Sequence, residues 1–227
     1  MRKNQEYKNL ALAALKGNWA PSIVATIIVI LACMVFMGPY EVMYMMALNG
    51  KVFASPVLPA ISYGLFAFGV LLVFSPMNVG YTYAFKMLYS DSDGQVNGNM
   101  FRKGFKPYFR NVWGMFLMGL FVNLWSLLLI VPGLIKAYAY ALTPYILIDN
   151  PDLSANQAIN LSKKMMKGHK FDLFYLHLGF LGWAILSVFT LCVGLVWVMP
   201  YMMTAQAAFY QDVKNEYLST NNTIINN

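Results

Sequence analysis

The chain has 227 residues, of which 59% are hydrophobic and 11% charged, and it carries a net charge of +7. Soluble domains run at about 25% charged and roughly 45–50% apolar, so a soluble enzyme, a fibrous protein, a disordered tail and a disulfide scaffold are excluded. With a mean hydropathy of +0.53, this length predicts one domain solvated mostly by lipid.

The first apolar stretch covers residues 21–37, with Trp19 at its entrance and Gly38-Pro39-Tyr40 at its exit. It lies near the short end of the roughly 17–25 residues a crossing needs. Ile30-Leu31-Ala32-Cys33 faintly resembles a lipoprotein cleavage box. However, a long leader containing Glu6 and the apolar residues through Met37 predict a retained first span. Met43-Tyr44-Met45-Met46 reads as a re-entrant or interfacial segment of the outer loop, because no Cys or His accompanies it to hold a soft metal. The next uncharged stretch, 52–85, predicts a crossing over about residues 60–86, bent at Pro76.

Two longer stretches follow. Between Arg110 and Asp149 the only charge is Lys136, and between Asp172 and Asp212 lie 39 residues without a full charge if His177 is neutral. One helix of that length would extend about 58 Å, roughly twice the hydrocarbon thickness. Each stretch therefore predicts two crossings joined by a short turn, at Pro132-Gly133 and at residues 190–194. Six spans then place Arg2, Lys3, Lys8 and Lys16, Lys86 through Arg110, Lys163 through Lys170, and Lys214 on one side. Only Lys51 and Lys136 are left for the other. The positive-inside rule makes the basic side cytoplasmic, with both termini there. Basic clusters beside apolar runs suit the anionic cytoplasmic leaflet rather than nucleic acid.

The expected fold is all-α and polytopic: six transmembrane helices as three hairpins, each preceded by a cytoplasmic interfacial amphipathic helix. Residues 1–213 form one membrane domain, with possible repeat units 1–93, 94–152 and 153–213, and residues 214–227 a polar cytoplasmic tail. Lys16-Gly17, Lys103-Gly104 and Lys167-Gly168 each precede a hairpin, and Gly133, Tyr140 and Thr143 match Gly194, Tyr201 and Thr204 at an offset of 61. The third amphipathic helix is the best defined. Ser154 and Gln157 have capping-box spacing. Ala155, Ala158, Ile159, Ser162, Met165 and Met166 make an apolar stripe, Asn156, Asn160, Lys163, Lys164 and Lys167 a wet face, and Gly168 a closing residue. Cys33 and Cys192, with no CxxC pair and no His cluster, read as two buried free thiols.

Pro132-Gly133, Tyr140, Pro144, Asp149-Asn150-Pro151, Leu153-Ser154-Ala155-Asn156, Ala158, Ser162, Met166 and Gly168 carry a resemblance, joined by Trp183, Pro200-Tyr201, Ala205, Ala208, Phe209 and Tyr210. The chain resembles an uncharacterised bacterial integral-membrane family, domain of unknown function nine-seven-five. The resemblance is most specific over residues 132–210. It implies a six-span bacterial inner-membrane protein and supplies no catalytic residues. A more distant similarity to membrane domains accompanying glycerophosphodiester phosphodiesterases hints at lipids.

Ionisable residues at membrane depth are costly, which makes each a candidate site. His177 reads either as a neutral imidazole bonded to a neighbouring helix or as a proton relay or headgroup contact. Lys136 either snorkels to the outer surface or holds an anionic group. Tyr138, Tyr140, Tyr145, Tyr201 and Tyr210 read as packing or as the lining of a cavity for an amphiphile. Lys163, Lys164, Lys167 and Lys170 form a basic face suited to anionic headgroups. Catalytic, cofactor and metal motifs are missing: there is no GxSxG, HExxH, GxxxxGK[ST] or Cys/His spacing. The function expected is that of a non-enzymatic, lipid-engaging accessory, envelope-stress or immunity-like protein, without cofactor. The alternative is a small transporter or channel for a lipid or other amphiphile, using Lys136, His177, Tyr140 and Tyr201.

Overall fold

A computed structural model describes residues 1–50, 57–90, 96, 99–190 and 193–225. Cys192 and Lys51 fall outside these residues. Among the described residues every regular element is a helix, with no strand. In order come α1 (Asn4–Leu15), α2 (Trp19–Leu48), α3 (Val57–Phe68), a π-helical segment (Gly69–Phe74) and α4 (Ser75–Ser90). Then follow α5 (Asn99–Gly104), α6 (Tyr108–Leu128), α7 (Ile130–Tyr140), α8 (Thr143–Asp149), α9 (Ala155–Met165), α10 (Lys170–Phe189) and α11 (Leu195–Ile225).

Among the described residues, five helical stretches are long and apolar enough to cross a membrane: Trp19–Leu48, Val57–Ser90, Tyr108–Leu128, Ile130–Asp149 and Lys170–Phe189. They make this a multi-pass membrane protein. The 31 residues of α11 are long enough but less apolar than the other five.

Two boundaries differ from the sequence reading, and Pro76 marks an irregularity inside one span, each for a physical reason. Gly38-Pro39-Tyr40 does not end the first span, since α2 runs on through Pro39 to Leu48 and includes Met43 to Met46. A helix is the form in which apolar solvent leaves fewest backbone groups unpaired. The far half of α2 is also held by Tyr40, whose ring packs 4.7 Å from Phe66 and 5.3 Å from Tyr63. Pro76 lacks the N–H that would bond the carbonyl of Leu72. The chain answers with the π-helical turn just before it, and the freed Leu72 carbonyl accepts from the Tyr108 hydroxyl at 2.7 Å. The turn expected at Pro132-Gly133 comes three residues earlier. Leu129 alone is extended there, and Pro132 sits in the first turn of α7, where its missing N–H costs nothing.

The junctions explain two glycines. A side chain at Gly133 would run into Ser126, and one at Gly194 into Ser187, so each glycine lets two successive helices approach closely. Both serines bond the carbonyl four residues back, Ser126 to Val122 and Ser187 to Trp183.

Burial is uneven along every long helix. In α2 the buried residues are Ser22, Ala25 and Thr26, near its start. In α6 they are Asn111, Val112, Gly114 and Leu117, and in α10 three of the four, Leu173, Leu176 and Phe180, lie in its first half or just past it. The far ends are open: Leu127 is 87% exposed, Ile130 77% and Phe189 81%. Such surface belongs in lipid. The core thus sits at one end, where Tyr7 and Ala11 of α1 meet Leu142 to Leu147, Leu173, Leu176 and Ala205 to Tyr210.

The short helices line this packed end. In α9 the cap has its two expected bonds: Gln157 N–H donates to Ser154 Oγ at 3.4 Å, and Ser154 N–H donates to Gln157 Oε1 at 2.8 Å. The apolar stripe is buried and the wet face exposed, and Gly168 closes the helix at φ +96°. Yet α9 packs inward as well. Ser162 Oγ donates to the Ala139 carbonyl at 3.0 Å, and Ile159 joins Leu117 and Tyr140 in a core cluster. Tyr7, Ala11 and Leu15 give α1 a buried stripe of its own.

Candidate functional site

The eight residues singled out from the sequence divide by location. Tyr140 is buried among Leu117, Ala139 and Ile159, and Tyr201 packs edge-on against Phe180 with ring centroids 4.8 Å apart. Both occupy packed positions, in different clusters. His177 is half-buried, 5.7 Å from the Tyr138 ring, and Gln206 of α11 lies near it. No hydrogen-bond partner reaches its Nε2 among the described residues. Lys136 lies over the Trp125 ring, 4.5 Å from its centroid, an attraction worth roughly 0.5–1 kcal/mol where exposed. Two residues along a helix means about 200° of rotation, so Lys136 faces α6 while Tyr138 faces α10 and His177. The two intramembrane ionisable groups, Lys136 and His177, therefore belong to different surroundings. Thr143 and Thr204 are buried, whereas Asn123 is exposed and bonds the Gly119 carbonyl of its own helix. Cys33 is a half-buried free thiol.

The lysines, by contrast, come together. Lys163 and Lys170 are within Coulombic reach of Lys136, and Lys163, Lys164 and Lys167 are exposed on α9. Beside them opens a cavity of about 530 Å³ between α7 and the start of α10. Val131, Leu134, Ile135 and Tyr138 line one wall at the i, i+3, i+4, i+7 spacing of a single helix face. Gly168, Lys170, Phe171 and Phe174 line the other. Among the described residues none of these five lysines forms a salt bridge, because the nearby carboxylates are engaged elsewhere. Asp149 pairs with Lys86 and Lys214, Asp212 with Arg2, and Asp172 and Glu216 both face His169 at 3.4 Å.

A second polar site was not singled out from the sequence. Asp149, at the end of α8, receives Lys86 of α4, Tyr210 OH of α11 at 2.7 Å and Lys214 Nζ at 2.6 Å. Its side chain is only 5% exposed. The Tyr210 ring stacks 4.8 Å from that of Tyr145. Burial pulls the Lys214 ammonium below its ordinary pKa. Nearby, Arg110 donates to the carbonyls of Leu147, Asn150 (2.9 Å), Pro151 and Leu153 (3.3 Å). These carbonyls belong to the end of α8 and the turn that follows it, where backbone acceptors lack helical partners. A third junction ties α1 to α11: Arg2 pairs with Asp212 at 2.8 Å, and the Tyr7 hydroxyl donates to the same carboxylate at 2.9 Å. Burial and that bond push the Tyr7 phenol above its ordinary range. The residues 214–227 expected as a tail thus begin with a side chain engaged at Asp149, and α11 continues through them to Ile225.

Among the described residues no group of three or more His, Cys, Asp or Glu could hold a metal ion. The fold is that of a multi-pass helical membrane protein, packed and polar at one end and apolar elsewhere. Residues 111–217 match the family described as "Protein of unknown function (DUF975)", which supports assigning this stretch of the chain to it. The match contains the whole of the region 132–210 that carries the sequence resemblance. Comparison with curated proteins finds no match, and comparison with solved structures finds none either.

Proposed function

We propose that this chain is a six-span, non-enzymatic protein of the bacterial inner membrane that engages anionic lipid through the basic face of α9 and the start of α10. It acts there as an accessory, envelope-stress or immunity-like factor. The carrying observation is the set of four lysines, Lys163, Lys164, Lys167 and Lys170, without a carboxylate partner among the described residues, the last of them at the edge of an apolar cleft. Lysines near an anionic leaflet gain about 1 kcal/mol each, and a carboxylate partner would cancel that gain.

In this reading α11 is the sixth span, over roughly its first half, and both termini are cytoplasmic. The helices before and after Leu129, and before and after residues 190–194, are two hairpins of one repeated unit. Its support is the recurrence of the Ser126–Gly133 contact 61 residues later as Ser187–Gly194. The test is boundary-lipid selectivity in bilayers of phosphatidylethanolamine with a minority of phosphatidylglycerol, read by spin-labelled lipids. The expected result is enrichment of phosphatidylglycerol that disappears when Lys163, Lys164 and Lys167 are changed to Glu. A wild-type boundary with no preference would sink the reading.

A second reading, a small transporter or channel for a lipid or other amphiphile, draws on Thr143 Oγ1, Tyr145 OH and His177 Nε2. These are buried polar atoms without a hydrogen-bond partner among the described residues, and such atoms are rare unless something uses them. Under it, His177→Ala abolishes a transport phenotype while expression stays intact.

A further inference from the structure

The geometry points to a specific phospholipid site in the cleft between α7 and α10, and we propose that it holds one acyl chain of an anionic phospholipid, with the phosphate at Lys170. This deepens the reading above and rests on it.

The cleft has two chemically distinct parts. Val131, Leu134 and Ile135 form one apolar wall, with Phe171 and Phe174 opposite. All five are open in the isolated chain, Val131 at 66% and Phe171 at 73%. A cavity of about 530 Å³ lies within the roughly 300–1,000 Å³ of ordinary ligand pockets. Its walls offer an acyl chain nothing but contact. At the edge stands Lys170, half-buried, with Lys136 and Lys163 within reach of one another's charge. Lys170 has no carboxylate partner among the described residues, since the nearest carboxylate on its own helix, Asp172, is turned to His169, and an anion at the edge of the cleft would supply its counter-charge. A neutral lipid would fill the slot and leave the cations unanswered. A free anion would answer the cations and leave the slot open to the bilayer. An anionic phospholipid satisfies both.

The test uses the whole protein in nanodiscs of phosphatidylethanolamine with a minority of phosphatidylglycerol, released into mild detergent and read by native mass spectrometry. Wild type is expected to keep one phosphatidylglycerol per chain. Ile135→Trp fills the slot from an exposed position and lowers that retention about tenfold. Lys170→Gln abolishes the preference over phosphatidylethanolamine. Leu134→Trp is the second filling variant should Ile135→Trp not fold. Equal retention of the two lipids by wild type, or retention unchanged in both filling variants, overturns the proposal. The boundary enrichment measured with spin labels separates the two readings. If it persists while no stoichiometric lipid is kept, the cleft proposal alone fails, and if it is missing from wild type the broader reading fails as well.

Discussion

Two polar regions lie close together in this molecule, and they handle charge in opposite ways. At Asp149 two helices, α4 and α11, bring polar groups to a carboxylate on a third: two ammoniums and a phenol converge on a side chain 5% exposed. Around the α7–α10 cleft, lysines gather that bridge to no carboxylate among the described residues. The contrast teaches which charges the fold needs. Buried ions away from water must be compensated within the protein, whereas lysines at the edge of an apolar cleft can be compensated by whatever occupies it. The first region is scaffold by this criterion, and the second is surface left for something else.

The largest expected effect breaks the scaffold half of that contrast. Asp149→Asn keeps the shape but removes the counter-charge of Lys86, whose side chain is 12% exposed, and of Lys214 at 34%. Stranding one member of a buried pair costs about 3–5 kcal/mol. The more open Lys214 can turn toward water, which favours the lower end of that range. Thermal unfolding in detergent should show a large drop in midpoint. An unchanged midpoint would mean that Asp149 is not what holds these helices together.

A smaller loss is expected at a close approach in the same packed end. A Cβ on Gly104 would meet the Pro76 carbonyl oxygen and the backbone of Gly80, neither of which can move aside as a flexible side chain would. Gly104→Ala should therefore destabilise by about 1–3 kcal/mol, the usual cost of overpacking. Gly119→Ala, where nothing lies within 4 Å, is the control and should be neutral or slightly stabilising. If both variants melt alike, α5 is not pressed against α4 as described.

How much of this was legible in the sequence depends on how local each cause is. The capping box at Ser154 and Gln157, the buried stripe of α9 and the positive φ of Gly168 are set within one helix, and all were readable from spacing alone. The overrun of α2 past Gly38-Pro39 was not, because a rule drawn from water does not hold where lipid offers the backbone no partner. The Asp149 site was missed for another reason. Lys86 and Lys214 look like ordinary residues at the ends of spans, Asp149 and Tyr210 stand out only through the family resemblance, and only the packing brings the four together. One signal was available: Tyr210 follows Asp149 by 61 residues, the offset that separates Gly133 from Gly194. Extending that register down the helices would have set the two at corresponding positions. The lysine face was legible as a charge pattern, but the cleft beside it was not, since its walls come from α7 and α10.

The smallest expected effect sharpens the other half of the contrast. Lys163, Lys164 and Lys167 are exposed and bridge to no carboxylate among the described residues. Surface substitutions away from packed features usually stay within about 0.5 kcal/mol. Changing all three to Glu should therefore leave the unfolding midpoint in neutral detergent nearly where it was, although the same variant is expected to lose its preference for phosphatidylglycerol. Stability and lipid preference would then separate, as a surface that the fold does not need requires. A fall in midpoint as large as that of Asp149→Asn would show instead that these lysines belong to the scaffold, and the distinction between the two regions would collapse.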